Sequence, residues 1–175
     1  SVALFFLLLE QNISFDIAIV DYNLRAQSKD EISYAKELAL KYNKSIFIKD
    51  VNLENNSNFE KTARDIRYSF FEEIISNERY ENLITAHQLN DKLEWFLMQL
   101  SKGAGLVELI GFNEFEQKEN YKIYKPLLNI TKEELENYLK INNHKYFIDE
   151  SNFDEKYKRN FFRHNFSNLF LENFS

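Results

Sequence analysis

Three titratable residues stand close together in the stretch Thr85–Trp95, which reads T-A-H-Q-L-N-D-K-L-E-W. His87 follows a short apolar run typical of a strand, and Asp91 and Glu94 lie three residues apart in the helix that comes next. At about 100° per residue, both carboxylates fall on one side of that helix. Ligands of open α/β sheets bind at the carboxyl ends of strands, so the three side chains indicate a functional site.

An ordinary solvated helix face is the alternative for Asp91 and Glu94, because acidic residues early in a helix also suit its dipole. Two observations favour the functional interpretation. Trp95 and Met98 lie on the same side of the helix, so that another part of the molecule is expected to cover it. A histidine at a strand end is also an unusual companion for two carboxylates.

A pair of arginines forms a second group. Arg64 and Arg67, in T-A-R-D-I-R-Y, share a helix face and could hold phosphate with their planar donor groups. Local pairing is an equally good explanation, because Glu60 precedes Arg64 by four residues, the favourable orientation for an ion pair.

The most basic stretch of the chain is 156–164, K-Y-K-R-N-F-F-R-H. Basic residues interleaved with aromatic ones suit contacts with RNA backbone and bases. A solvated amphipathic helix has the same composition, and by itself the stretch favours that simpler interpretation.

Alternating strands and helices are predicted to position these residues. The helix that carries Asp91 and Glu94 should turn an apolar stripe toward the core; the stripe comprises Leu89, Leu93, Phe96, Leu97 and Leu100. Strands are predicted at 14–22, 45–51 and 82–86, and helices at 28–42 and 57–77. A further helix is predicted to follow His87 and to be closed by Gly103. This alternation predicts an α/β fold, a three-layer α/β/α sandwich around a mostly parallel sheet.

The last third of the chain contains smaller elements. We predict a hairpin at 115–124, a helix from the capping box Thr131–Glu134 to about residue 142, and an extended run at 146–149. A basic helical segment follows, with its helix at 154–171. No linker divides the 175 residues, so we expect one domain that covers 1–175.

Composition narrows the function classes. The net charge of −6 argues against a surface that grips nucleic acid along its whole length, although it permits a local basic patch. The sequence has no cysteine, which removes disulfides, thiolate–zinc sites and thiol catalysis and fits a cytoplasmic protein. Its most apolar run, within residues 1–11, is too short to span a bilayer, so no membrane partner is expected.

Residues 1–11 instead predict a buried helix, because they are apolar on nearly every side. Such a helix needs a neighbouring strand, and none precedes it. We therefore expect the strand and loop of this unit to lie upstream of Ser1.

Five motifs occur in order along the chain. They are L-R at 24–25, N-F-E-K-T-A-R-D-I-R-Y at 58–68, H-x-x-N-D-x-x-E with K-G-A-G-L-x-x-L-x-G at 87–111, K-P-L-L at 125–128, and D-E-S-N-F-D-E-K-Y-K-R-N-F-F-R-H at 149–164. Together they resemble the tRNA(Ile)-lysidine synthetase family of N-type ATP pyrophosphatases. Ser1 is similar to the last serine of that family's S-G-G-x-D-S loop. The resemblance spans nearly the whole chain.

The chain departs from the family pattern at several positions. Asn90 stands where the family usually has Asp, Lys92 where Gln is frequent, and Trp95 where Thr is common. Asp-Tyr-Asn at 21–23 replaces the usual N-H-G.

The resemblance implies an ATP- and Mg²⁺-dependent enzyme that ligates L-lysine to the wobble cytidine of the isoleucine tRNA with a CAU anticodon. It implies that Asp91 and Glu94 hold Mg²⁺ or the lysine ammonium, while His87 and Arg64 stabilise charge at the α-phosphate. The resemblance also implies that the nucleotide is bound by Ser1, Arg25 and Arg67. It implies that the tRNA is bound by Arg159, Asn160 and Arg163.

Further expectations follow from the resemblance. The strands near 17–20 and 83–86 should flank the upstream strand rather than pair with each other, and residues 1–175 alone should be inactive without the glycine loop. A tRNA-thiolating pyrophosphatase and a non-catalytic nucleotide-binding module remain as alternatives. The oligomeric state stays open, with a homodimer as one option.

Overall fold

The computed structural model describes residues 1–24, 27–53, 59–147 and 158–174, with no description of the side chains of residues 158, 172 and 174. The chain divides into two compact units. The first unit is Leu8–Leu83, and the second unit combines Ser1–Leu7 with Ile84–Ser175.

The first unit is built around a pair of parallel strands. Strand β1 (Ile17–Asp21) pairs with β2 (Ile46–Asp50), with Ile17 opposite Ile46 and Asp21 opposite Asp50. Parallel strands need a crossover connection, and helix α2 (Gln27–Lys41) supplies it. Helix α3 (Phe59–Glu78) follows β2. The buried apolar residues of this unit include Leu38, Ala39, Ala63, Ile74 and Ile75.

A partly exposed hydrogen-bond network joins the residues that precede β1 and β2 in the first unit. The Tyr80 hydroxyl donates to Oδ2 of Asp16, and the backbone N–H of Ser45 donates to Oδ1 of the same carboxylate at 2.5 Å. Burial and the hydrogen bond to Asp16 raise the pKa of Tyr80 to about 12. Burial opposes ionisation of Asp16, but the bonds from Tyr80 and Ser45 outweigh it and hold the pKa of Asp16 below its usual range.

This network predicts a stability that falls at both ends of the pH scale. The unfolded chain releases the Tyr80 proton near pH 10 while the folded chain keeps it to about 12, so stability declines across that interval. The lowered pKa of Asp16 stabilises the fold at pH values above the ordinary aspartate pKa, near 4. This contribution is lost as the pH falls through the lower pKa that Asp16 has in the folded protein. Tyr80→Phe should lower the free energy of unfolding by about 1 kcal/mol at pH 7. It should also reduce the decline in stability at both acidic and alkaline pH. Urea unfolding of both proteins between pH 2 and pH 12 measures this, and identical pH profiles would contradict it.

Helix α1 (Val2–Glu10) starts in the second unit, where Ala3, Leu4, Phe5 and Phe6 are buried. The Phe6 ring stacks on the His144 ring with centroids 3.5 Å apart. The prediction of a buried first helix is therefore confirmed.

Helices and a small sheet make up the rest of the second unit. Strand β3 (Asn82–Ile84), whose last residue opens the unit, is followed by α4 (Leu89–Ser101) and the short α5 (Leu106–Leu109). Strands β4 (Phe115–Gln117) and β5 (Lys122–Tyr124) form the predicted antiparallel hairpin, and the order in the sheet is β3-β5-β4. Helix α6 (Lys132–Ile141) comes next. The described strands thus form two sheets, β1-β2 and β3-β5-β4, and the place of an upstream strand between β1 and β3 stays a prediction.

The chain ends in one long helical stretch. Helix α7 (Lys158–Phe162) continues through a π-helical turn (Arg163–Ser167) into α8 (Asn168–Phe174). The predicted helix at 154–171 is confirmed from residue 158 onward, and its first residues lie outside the described part. No described helix has both the length and the apolar character needed to cross a membrane.

One sequence-based expectation about α4 is wrong. Its apolar stripe does not form the buried face: Leu100 is 53% exposed, and Leu93 and Phe96 line an open cleft of about 580 Å³ with Leu109 and Phe112. The buried residue of the helix is Glu94, with no exposed surface. Hydrophobic periodicity misassigns the face because arginines from the end of the chain cover and neutralise the acidic side.

Candidate active site

The first turn of α4 is fixed by hydrogen bonds that begin with its own backbone. The N–H of Gln88 donates to Oδ2 of Asp91 at 2.9 Å, which satisfies one of the donors that a helix start leaves unpaired. The N–H of Leu89 donates to the carbonyl of Ile130 at 2.9 Å. Asp91 therefore cannot change its rotamer without loosening the start of α4.

Asn90 joins the starts of two helices. Its Oδ1 accepts the backbone N–H of Lys132, the first residue of α6, at 2.9 Å. Thr131 caps α6 through the predicted capping box. The Oγ1 of Thr131 accepts from the N–H of Glu134 at 3.2 Å, and Oε2 of Glu134 accepts from the backbone N–H of Thr131 at 2.7 Å. The side-chain oxygen at position 90 thus acts as a second acceptor for the donors of α6.

We predict that Asn90→Asp keeps this bond, while Asn90→Leu lowers the free energy of unfolding by about 1–2 kcal/mol because an acceptor at a helix start is lost. An aspartate at position 90 would also meet the positive end of the α6 dipole, so its stability should equal or slightly exceed that of the wild type. Thermal unfolding of the two variants distinguishes them. Equal destabilisation by Asp and Leu would show that the acceptor contributes nothing.

Four charged side chains meet on the side of α4 that faces the end of the chain. Arg159 donates from Nε to Oε2 of Glu94 at 2.6 Å and from Nη2 to Oδ1 of Asp91. Arg163 donates from Nε to Oε1 of Glu94 at 2.7 Å and from Nη2 to Oε2 at 3.2 Å. We call Asp91, Glu94, Arg159 and Arg163 the charge cluster.

The charge cluster is balanced, with two carboxylates facing two guanidinium groups. Glu94 is fully buried, so its negative charge requires partners, and each of its oxygens has at least one. The arginines differ in accessibility: the side chain of Arg159 is 40% exposed and that of Arg163 is 18% exposed. Asn160, which is buried, contacts Arg163 through Oδ1 at 3.4 Å from Nη1.

His87 belongs to an aromatic group next to α4. Its Nδ1 lies 2.8 Å from Oγ1 of Thr85, and its ring meets Phe112 edge-on with centroids 5.2 Å apart. The Trp95 ring also packs against Phe112, with ring centroids 6.0 Å apart. A fixed Nδ1 contact orients the imidazole, which is what a charge-stabilising or proton-transferring histidine requires.

Lys125, the first residue of K-P-L-L, is a functional-site neighbour that sequence reasoning did not single out. Only 3% of its side chain is exposed. Its Nζ pairs with Glu116 and donates to the carbonyl of Asn113 at 2.9 Å, and it lies 5.1 Å from the centre of the Phe112 ring. Burial opposes ionisation of Glu116, but the Lys125 ammonium outweighs it and lowers the pKa of that carboxyl. Lys125 therefore supports the ring against which His87 packs.

Two other predicted site residues belong to the first unit. Arg64 and Arg67 are exposed on α3 in the first unit, where the Arg64 guanidinium stacks over Tyr68 at 4.9 Å. Glu60 makes no ion pair with Arg64 within the described part of the chain, so the local-pairing alternative gains no support. Ser1 is exposed before α1, and Arg25 lies outside the described residues.

The D-Y-N departure at 21–23 has a structural explanation. Asn23 adopts a left-handed backbone with φ 54°, a conformation in which asparagine is among the best-tolerated residues besides glycine. Its N–H donates to Oδ1 of Asp21 at 2.9 Å, and its Nδ2 donates to Oδ1 of Asp50 at 2.6 Å. The hydroxyl of Tyr22 donates to the carbonyl of Ala63 at 2.7 Å, beside Arg64 in sequence.

The carboxylate oxygens of the charge cluster are ligands of the type that a hard cation such as Mg²⁺ prefers. Magnesium in phosphoryl-transfer sites is held by one or two carboxylates together with substrate phosphates. Asp91 and Glu94 offer such oxygens, although arginine nitrogens contact them here. Within the residues that the structure describes, no three His, Asp or Glu side chains cluster closely enough to hold a metal by themselves. Substrate phosphates would have to complete the coordination.

Comparison with known proteins identifies the class. The chain belongs to the PP-loop domain family, which matches residues 1–170. Its fold is similar to that of the U34-tRNA thiolase NcsA from Methanococcus maripaludis, with a TM-score of 0.68 and 18% identity over 100% of this chain and 69% of that one. The predicted α/β fold class is confirmed, and the PP-loop domain implies that ATP is used.

More similar sequences point to one particular kind of PP-loop protein. The tRNA(Ile)-lysidine synthase of Campylobacter jejuni strain RM1221 is 52% identical over 99% of this chain and 54% of its own length. The synthases of Helicobacter hepaticus and Helicobacter pylori strain 26695 are 49% and 47% identical over 100% of this chain and 42% and 51% of their own lengths. The chain thus spans about half the length of these relatives.

Proposed function

We propose that this chain forms the ATP-dependent catalytic part of a tRNA(Ile)-lysidine synthase, with the CAU-anticodon isoleucine tRNA and L-lysine as substrates. The observation that carries the proposal is the identity of about 50% to such synthases over essentially every residue of the chain. The charge cluster and the oriented His87 supply groups that the reaction needs.

The reaction has two steps. The C2 oxygen of the wobble cytidine attacks the α-phosphate of ATP, a bond to phosphorus forms, and pyrophosphate leaves. The ε-amine of lysine then attacks C2 and loses a proton, and the C2–oxygen bond breaks to release AMP. Both steps develop charge on oxygen atoms, so catalysis depends on positioning and on pre-placed charges.

Asp91 and Glu94 are proposed to hold the cationic partner of the reaction, either the lysine ammonium or Mg²⁺. When bound, Mg²⁺ would neutralise phosphate charge during pyrophosphate release. Arg159 bridges both carboxylates and is the more exposed arginine, so it can turn toward tRNA phosphate as a cation takes its place. The same side chain thereby links the basic segment to the acidic pair.

His87 and Arg64 are proposed to stabilise the charge that develops at the α-phosphate. His87 has a fixed ring orientation, and Arg64 is an exposed guanidinium that can present several donors to phosphate oxygens. Ser1, Arg25 and Arg67 are proposed to contact the nucleotide, as the family resemblance implies. Arg67 shares the exposed face of α3 with Arg64.

Thiolation of tRNA, the activity named for the fold neighbour, is the less suitable alternative. That neighbour is described with its [4Fe-4S] cluster, and clusters of this kind are held by cysteine thiolates. The 175 residues here contain no cysteine. At 18% identity the likeness establishes the fold alone.

The test measures pyrophosphate release by the full-length protein with ATP and Mg²⁺, with or without tRNA and lysine. We expect release to require the isoleucine tRNA, and lysine to be incorporated into that tRNA with formation of AMP. The matched control is the same tRNA with its wobble cytidine replaced by uridine, which should support neither step. Pyrophosphate release without tRNA, or incorporation of sulfur in place of lysine, would refute the proposal.

A further inference from the structure

The two arginines of the charge cluster hold different positions relative to solvent. Arg159 contacts two carboxylates, one nitrogen to each, and 40% of its side chain remains exposed. Arg163 directs two nitrogens at one carboxylate and is only 18% exposed. Arg163 therefore has the geometry of a two-pronged structural pair, the more specific of the two arrangements.

All three guanidinium nitrogens of Arg163 are engaged by side chains of the same unit. Nε and Nη2 contact the two oxygens of Glu94, and Nη1 contacts Oδ1 of Asn160 at 3.4 Å. Asn160 is itself buried, one helical turn before Arg163. A phosphate that recruited Arg163 would have to withdraw it from a carboxylate with no exposure to water.

The backbone supports the same interpretation. Arg163 opens the π-helical turn, and this turn packs against α4, the helix that carries Glu94. Its last residue, Ser167, is fully buried. π-Helical turns widen a helix locally and recur at functional sites, where they set the direction of particular side chains. The π-helical turn thus begins at Arg163, the residue that contacts Glu94.

We propose that Arg163, braced by Asn160, is a positioning residue that orients the Glu94 carboxylate, while Arg159 alone of these arginines contacts tRNA phosphate. The inference rests on the proposed function and redistributes the roles within the basic segment. Arg163 acts through Glu94, so its loss resembles the loss of Glu94. Arg159 exchanges its carboxylates for phosphate when tRNA binds.

Salt dependence of tRNA binding separates the two roles. Each phosphate contact that is lost reduces the slope of log K against log salt by about 0.7–0.9. We expect Arg159→Gln in the full-length protein to reduce the slope by about that amount. Arg163→Gln should leave the slope and the tRNA dissociation constant unchanged, and so should Lys102→Gln, an exposed cation at the other end of α4 that serves as matched control.

Steady-state kinetics supply the second measurement. Arg163→Gln should lower kcat/KM for lysine at least tenfold while the KM for tRNA stays the same, because the defect reaches the reaction through Glu94. Combined with Glu94→Gln, it should cost little more than either single change, since residues that act as a unit are not additive. A defect of general stability would instead weaken tRNA and lysine kinetics together.

Arg163→Lys guards against a folding failure of the glutamine variant. Lysine retains the positive charge but lacks the planar two-pronged donor, so this variant should fold, bind tRNA normally and remain impaired toward lysine. If the salt-dependence slope fell for Arg163→Gln or Arg163→Lys as it does for Arg159→Gln, the inference would be wrong. Normal turnover by the wild-type protein would in that case still support the proposed function. Wild-type protein without tRNA-dependent pyrophosphate release would overturn both.

Discussion

Replacing Glu94 by alanine is expected to lower the free energy of unfolding by about 3 kcal/mol or more, the effect of removing one partner from a buried ion pair. The carboxylate is fully buried and accepts from Arg159 and Arg163 at 2.6 and 2.7 Å. Its removal leaves two positive groups facing a cavity, and Arg163 is too enclosed to regain full hydration. The end of the chain should then detach from α4 before the rest of the unit unfolds.

Urea unfolding, with hydrogen exchange of residues 158–174, measures both parts of this expectation. Glu119→Ala is the matched control, because Glu119 is exposed in the turn of the β4–β5 hairpin and should change stability by no more than about 0.5 kcal/mol. Glu94→Gln retains shape and acceptor capacity and should fall between the two. A Glu94→Ala protein as stable as the Glu119→Ala protein would show that the charge cluster contributes nothing to folding.

Local signals in the sequence predicted local structure well. The capping box at Thr131 begins α6 as expected, and the hairpin forms around the polar turn residues that separate two short strands. These features depend on residues only a few positions apart, so the sequence contains all the relevant partners. The orientation of α4 depends on Arg159 and Arg163, which lie more than 60 residues away, and helix periodicity contains no information about them.

The candidate site shows the same division. Asp91, Glu94, Arg159 and Arg163 were selected from motif and charge, and the structure brings them together in the charge cluster. The roles of Asn90 and Lys125 depend on contacts with Lys132, Glu116 and Phe112 that no local pattern specifies. The sequence signal for Lys125 was its place in the K-P-L-L motif, which does not specify these contacts.

Contacts near the charge cluster explain two of the departures from the family pattern. Asn90 retains the acceptor oxygen that an aspartate would provide, so the change at that position preserves the link between α4 and α6. Trp95 donates from its indole to the carbonyl of Glu108 at 3.3 Å and packs against Phe112 beside His87. Both substitutions therefore maintain the framework around the acidic pair.

Asp91→Asn should reduce kcat/KM for lysine at least a hundredfold, the order of loss seen when one pre-placed electrostatic group is removed from an active site. In the proposed reaction the carboxylate attracts the cationic partner, and asparagine cannot supply that charge. A substitution at a solvated surface position usually changes the free energy of unfolding by only about 0.5 kcal/mol. The structure raises this to about 1 kcal/mol, because Asp91 accepts from the N–H of Gln88 and from Arg159.

Activity and stability must be measured on the same protein for this prediction, because its two parts separate a chemical role from a structural one. Lys92→Gln is the matched control, a one-unit charge change on the neighbouring residue, and it should alter lysine kinetics less than threefold. Asparagine keeps the oxygen that Gln88 contacts, so the start of α4 should survive and tRNA binding should persist. If Asp91→Asn instead turned over lysine normally but unfolded several kcal/mol more easily, Asp91 would serve only to anchor Arg159 and the start of the helix.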